Sequence, residues 1–365
     1  MQGDDFMKKI PFEESEMTPV EKLPGFHGGA PKILWNQPST YAENWKSILQ
    51  EKKCHYIPSA LDFKTINPRI VPDLRAKAMV NDAGGKYLYS GVELDNFGAE
   101  WIFQPAVGGA IEKGGFRLLE NIEDWEDTLV WPDIESWGWE EAAIENKEYC
   151  SDRKFFYKTI CVTGFFERLI SFVGFEDALV AMIDEDVQPS IKRFFGRLSD
   201  YYCDYIEHMK RYFDIDLFEF HDDWGTQANA MFNVSTYEEM IFPYIKKIVE
   251  KCHSLNVFYE QHSCGKVETF IPYMIDAGID LWMGQECNDK LMLLKKYGDK
   301  IVIGVETPEL PAEATDEEVH EAAVAWASDY LIPDRPCALS IVAAKNVNRD
   351  RFEKELYILS RKAYC

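Results

Sequence analysis

From residue 157 to the C-terminus the chain alternates short apolar runs with longer amphipathic ones. "YKTICVTG" (157–164) is β-branched and closed by glycine, and the helical "FERLISFVG" follows it. An amphipathic stretch over 184–213 leads into "DLFEFHDDWG" (216–225). "STYEEMIFPYIKKIVEKCHSLN" (235–256) reads as a helix that Ser235 and Glu238 open as a capping box. Then come "VFYEQHSCG" (257–265), a helix at 267–277, "DLWMGQE" (280–286), a helix at 289–297 and "KIVIGVE" (300–306). A helix at 316–331, the strand "ALSIVA" (338–343) and a helix near 350–362 complete the series. Strand and helix alternating across short joints predict a βα array on a parallel sheet.

Such an array closes into an eight-stranded barrel or stays open as a doubly wound sheet. No glycine-rich nucleotide loop follows any of these strands, which removes the usual reason for the open sheet. The expected fold is therefore α/β, a single (β/α)8 TIM barrel over residues 51–365. Its early strands are expected near "HYIPSALDF" (55–63) and "KYLYSGVELD" (86–95). Residues 1–50 are expected to wrap the barrel as an N-terminal extension, and the Trp- and acid-rich segment 100–155 to form an insertion or lid.

A chain of 365 residues, 46% hydrophobic, is long enough to bury a large core. Its 39 Lys and Arg against 63 Asp and Glu leave a formal charge of -24, which phosphate backbones and anionic lipid surfaces repel. Nine cysteines, an odd number without regular spacing, follow the polar opening "MQGDDFMKKIPFEESEM", which does not resemble a secretory leader. The expectation is a cytoplasmic protein with reduced thiols that matter as ligands or nucleophiles.

Chemistry on a barrel gathers where strands end. Three strand ends here are unusually polar: "HDDWGTQ" (221–227), "EQHSCG" (260–265) and "GQEC" (284–287), with Glu306 closing a fourth. Residues two apart on a strand share a face, so Glu260, His262 and Cys264 form a comb. Imidazole nitrogen with thiolate suits Zn²⁺, provided a third ligand comes from a neighbouring strand end. A satisfied strand-end histidine and a cysteine packed as a small hydrophobe is the plainer alternative.

The stretches "DDWGTQANAMFNVSTYEEMIFPYIKKIV" (222–249) and "YEQHSCGKVETFIPYMIDAGIDLWMGQECNDKLMLLKKYGDKIVIGVE" (259–306) resemble the uroporphyrinogen decarboxylase superfamily, with "ELDNFGAEW" (93–101) as a shorter piece. The resemblance implies a (β/α)8 barrel of the uroporphyrinogen decarboxylase type. Within that superfamily H-x-C-G is characteristic of the cobalamin-linked methyltransferases. It implies that His262 and Cys264 are two ligands of a catalytic zinc and that a corrinoid protein is the partner. Decarboxylases carry an arginine-containing Met-Arg-Gln-Ala-Gly-Arg motif, and the corresponding "LWNQPSTYAENW" (34–45) lacks it. Methyltransferases acting on thiols place a third ligand, a cysteine, at the end of the last strand, here near "VAAK" (342–345). No cysteine stands there, and Cys337 opens that strand, at the opposite mouth. The third ligand is thus open among Glu260, Glu286, Cys287 and Glu306. Gln285 stands near where some relatives carry a glutamate at the metal's free position.

The expected function is a zinc-dependent methyltransferase that moves a methyl group between a methoxylated aromatic and a corrinoid protein, an O-demethylase. His221 or Asp223 would protonate the departing oxygen and Gln227 would orient the substrate, while helix capping by Asp222 and Asp223 is the structural alternative. Trp224, Tyr259, Trp282 and Gln285 are the expected substrate contacts, with Phe220 and Phe232 in the aromatic surround; ordinary core is the alternative for each aromatic. A decarboxylase, a methylcobalamin:thiol methyltransferase and a metal-free barrel that binds a corrinoid protein remain as alternatives, and a homodimer is compatible with all of them.

Overall fold

The computed structural model describes residues 10–23, 32–105, 109–340 and 347–364. Among them twelve strands follow in chain order: β1 (Pro19–Leu23), β2 (Lys32–Trp35), β3 (Lys64–Thr65), β4 (Val92–Leu94), β5 (Glu100–Gln104), β6 (Gly109–Glu112), β7 (Tyr157–Cys161), β8 (Leu217–His221), β9 (Phe258–Ser263), β10 (Leu281–Gly284), β11 (Val302–Val305) and β12 (Ala338–Leu339). The chain sorts into two compact units interleaved in sequence. One comprises Met1–Lys64, Arg153–Phe156 and Asp280–Cys365; the other comprises Thr65–Asp152 and Tyr157–Ile279.

In the second unit β7, β8 and β9 pair in parallel, with Cys161 opposite Phe220 and Phe220 opposite Gln261. Helices cover these strands, so their side chains are apolar on the covered face. Phe165, Tyr202 and Phe220 pack there with ring centroids 5.2–5.5 Å apart. The expected helix over 235–256 is two helices, Val234–Met240 and Phe242–Ser254, with Pro243 in the first turn of the second. Its opening differs as well. Asn233, not Ser235, is the N-cap, accepting from the Thr236 amide at 2.8 Å and from Ser235 Oγ at 2.7 Å.

The expected barrel strand at 86–95 is not one. Its ordered part, β4, pairs antiparallel with β5, and β5 with β6, in a separate three-stranded sheet. The Asp95 carboxylate sets the β4–β5 turn by accepting from the amides of Phe97 and Ala99, each at 2.9 Å. Buried Arg168 ties this sheet down by ion pairs to Asp95 (2.7 Å) and Asp73 (2.5 Å). The segment proposed as a lid supplies β5, β6 and short helices, and Trp125 and Trp131 from it pack against Phe194 at 5.6 and 6.2 Å.

In the first unit β10, β11 and β12 run parallel, covered by the helices Lys290–Tyr297, Asp316–Tyr330 and Arg349–Tyr364. The expected strand at 55–63 reduces to one parallel bridge, Ser59 to Leu339. A 3-10 turn over Ala60–Asp62 follows it and ends the extended run. Of the expected extension, β1 and β2 form an antiparallel hairpin, and Tyr41–Glu51 is a helix capped by Thr40. No helix among the described residues is long and apolar enough to cross a membrane.

Candidate metal centre

Parallel register places His221 of β8 directly opposite His262 of β9. Because alternate residues share a face, Glu219 and His221 project beside Glu260 and His262, while Phe220, Tyr259 and Gln261 turn to the helix side. Beyond the strands both chains continue into turns that meet backbone to backbone. A Cβ on Gly265, whose φ is +83°, would lie 2.1 Å from the Gly225 carbonyl carbon, so only glycine permits this approach. Asp223 and Cys264 are thereby brought to the two imidazoles. The rings of His221 and His262 are 4.2 Å apart, and the ligand atoms of His221, Asp223, His262 and Cys264 all lie within 4.8 Å of one another.

The donor set of two imidazoles, a thiol and a carboxylate fits zinc. A tetrahedral zinc with bonds of roughly 2.0–2.3 Å needs ligand atoms roughly 3.3–3.8 Å apart. His221 Nε2 lies 3.2 Å from Asp223 Oδ1, and Cys264 Sγ lies 3.6 Å from His262 Nε2. All four residues are half-buried, so they remain reachable by a small ligand. Burial opposes charge on Asp223, yet its bond to His221 and the nearby imidazoles hold its carboxylate well below the usual range. Burial likewise opposes charge on His221, but hydrogen bonds to Asp223 and Cys264 outweigh it and raise its pKa well above the ordinary imidazole value. Burial, ahead of the opposing His221 bond, pushes the Cys264 thiol up. The carboxylate attracts a cation, and the thiol keeps its proton until one displaces it.

A clamp fixes the ligand loop. Asp222 is fully buried; its carboxylate accepts from the amides of Phe166 (3.1 Å) and Glu167 (2.9 Å), and its own amide donates to the His262 carbonyl (3.2 Å). The Gly164 amide donates to the His221 carbonyl at 2.8 Å. A Cβ on Gly164 would lie 2.4 Å from Asp222 Cβ. Asp222 therefore caps the helix Phe165–Val173, as the structural alternative anticipated, whereas Asp223 turns to His221 and to the Cys264 amide, at 2.7 Å.

The structure groups His262 and Cys264 with His221 and Asp223, residues the sequence had suggested as proton donors. Glu260, the comb's third tooth, is not in the cluster. It is buried at 2% exposure and lies 3.3 Å from Lys158 Nζ, which also pairs with Glu219 at 2.6 Å. Gln227 is exposed on the loop beyond Gly225. Trp224 is core, packed edge-on to Tyr237 at 5.1 Å. Tyr259 is core too, three residues from His262 and so on the other face, with its hydroxyl donating to Gln261 Oε1 at 3.0 Å.

The remaining expected residues belong to the first unit. Trp282 is buried there with Lys290 Nζ 4.6 Å from its ring, and Glu306 ion-pairs with that lysine at 3.4 Å. The Gln285 carbonyl accepts from Asn288 Nδ2 at 2.8 Å, Cys287 Sγ accepts from the same group at 3.7 Å, and Glu286 is exposed. Cys337 is buried just ahead of β12, and the "VAAK" position lies outside the described residues.

One residue escaped the sequence reading. Glu167, in the first turn after β7, has a buried carboxylate oxygen, Oε2, without a hydrogen-bond partner. The only local signal was an acid following a strand that ends in glycine.

No protein-family model matches the chain, and no curated protein matches it in sequence. A methyltransferase from Methanosarcina mazei matches it in structure at a TM-score of 0.54 and 12% identity, over 88% of this chain and 98% of that one. An archaeal fructose 1,6-bisphosphate aldolase (TM-score 0.28, 10% identity, 42% of this chain and 60% of that one) is too distant to carry an argument. So is a GH10 endoxylanase from a sugarcane soil metagenome (0.27, 14% identity, 55% and 51%). The α/β chain described here shares the fold of the methyltransferase.

Proposed function

We propose that the chain is a zinc-dependent methyltransferase of the corrinoid-linked branch of the uroporphyrinogen decarboxylase superfamily, built on a (β/α)8 barrel. It moves a methyl group between a small methoxylated aromatic and a corrinoid carried by a partner protein. The observation that carries this reading is the convergence of His221, Asp223, His262 and Cys264 at and just beyond the C-terminal ends of two adjacent parallel strands. That end is where β/α barrels hold their chemistry. The fold shared with a methyltransferase supports it.

His221, His262 and Cys264 form the holding set. Asp223 has a second partner in the Cys264 amide, so it would be the weakest holder of an ion and the one substrate would replace. Bound zinc supplies Lewis-acid stabilisation of the departing oxygen. The chain's own contribution is a preorganised cage: Asp222 and the Gly225–Gly265 contact fix the ligands before any ion arrives.

The test pairs metal analysis with turnover. Protein purified without added metal should contain near-stoichiometric zinc, and the His262→Ala variant should contain none. Wild type should methylate cob(I)alamin from a methoxyarene, read as methylcobalamin absorbance. Zinc-free wild type that methylates no cobalt would sink the reading.

A further inference from the structure

We propose that Glu167 is a further catalytic residue of this site, whose carboxyl group meets the substrate and delivers the proton that the departing oxygen takes up. The proposal rests on the methyltransferase reading and adds the acid that reading lacks, since His221 belongs to the holding set and Asp223 accepts from the Cys264 amide beside it.

Three observations converge on it. Glu167 stands in the first turn of the helix that follows β7, beside the strand whose end bears His221. Its placement is fixed, because its amide donates to Asp222 and the Gly164 amide donates to the His221 carbonyl. Its side chain is spare. The other buried carboxylates of this unit have partners: Asp73 and Asp95 hold Arg168, Glu219 and Glu260 hold Lys158, and Asp222 holds two amides. Glu167 Oε2 alone among these is buried with nothing to bond. An unfilled buried acceptor costs on the order of 1–3 kcal/mol. Such a group calls for an explanation, and a catalytic role is one.

The charged groups facing Glu167 do not quench it. Lys77 sits over the Trp101 ring at 3.8 Å and forms no ion pair among the described residues. Arg168 is consumed by Asp73 and Asp95, while Asp223 and Asp222 add negative charge and His221 positive. Glu112 of β6 faces the same group of charges. Burial, ahead of the opposing pull of Lys77 and His221, pushes the Glu167 carboxyl up from its ordinary value.

The step balances as follows. The Co(I) corrinoid contributes an electron pair to a new cobalt–carbon bond. The methyl carbon–oxygen bond breaks, and its pair stays on oxygen. The oxygen takes the proton from Glu167, which is left as a carboxylate and regains a proton from solvent.

The experiment measures turnover of a series of anisoles, from 4-methoxy- to 4-nitro-substituted, with cob(I)alamin as acceptor, in wild type and Glu167→Gln. Loss of a positioned acid costs roughly 10²–10⁴-fold. That loss should fall mainly on kcat and be greatest for anisoles that release the least acidic phenols, so the variant's dependence on phenol acidity steepens. Zinc content should be unchanged, and Glu167→Asp should recover part of the rate. Equal dependence on phenol acidity in the two proteins, or loss of zinc from Glu167→Gln, overturns the assignment of Glu167 alone. Absence of cobalt methylation by wild type from every anisole overturns the methyltransferase reading and this proposal with it.

Discussion

Two charged layers lie one above the other on the same face of β8 and β9. The upper one, His221, Asp223, His262 and Cys264, is half-buried at the strand ends; the lower one, Glu219 and Glu260 with Lys158 from β7, is buried within the sheet. Both concentrate groups that attract a cation. In the lower layer the chain supplies that cation itself, as the Lys158 ammonium. In the upper layer no ion pair to a lysine or arginine is found among the described residues, and the Asp223 carboxylate is faced instead by the His221 imidazole at 3.2 Å. The two layers thus differ in their cation: a lysine ammonium fixed within the sheet below, a half-buried imidazole above.

The contrast can be broken from either side. The largest effect is expected from His262→Ala: zinc content and methyl transfer should both vanish, a loss exceeding the roughly 10–100-fold typical of an outer-shell partner. The zinc-free fold should change little, which thermal unfolding without metal would check. Lys158→Met should do the reverse. It strands two buried carboxylates and should destabilise the protein by about 3–5 kcal/mol in urea unfolding. If instead it removes zinc without loss of stability, the two layers are not separate.

Glu260→Gln is expected to be milder and to depend on pH. Burial and Glu219 push the Glu260 carboxyl from 4.5 up to about 7 in spite of Lys158. A carboxyl whose folded pKa is raised favours the fold when protonated. Its contribution is present below about pH 4.5 and is lost as pH climbs towards 7. Metal-free wild type should therefore lose stability against Glu260→Gln across that window, and parallel stability–pH curves would refute the assignment. Smallest of all, Tyr259→Phe removes one hydrogen bond to Gln261, at about 1 kcal/mol, and should leave methyl transfer unchanged.

The His262–Cys264 pair was legible because both residues lie in one short stretch of chain. Its partners were visible as polar residues but not as members of one cluster, because only the register between β8 and β9 sets His221 against His262. Glu260 was read in the correct phase, yet Lys158, about a hundred positions away, had claimed it. Tyr259 was misassigned although its odd separation from His262 already put it on the helix side. The strand at 86–95 failed for another reason. Alternation predicts that a strand exists, whereas its direction came from a turn built by the Asp95 side chain.

The bare α-carbon at position 164 has a reach that its size conceals. A single added methyl there would press on Asp222, whose two oxygens and amide lace three segments of backbone together. Substituting alanine at this glycine should consequently disturb the spacing of the four donor side chains and the lie of the neighbouring acid at once, though position 164 lends neither an electron pair nor a proton. Part of what readies this centre for an ion is an absence of atoms.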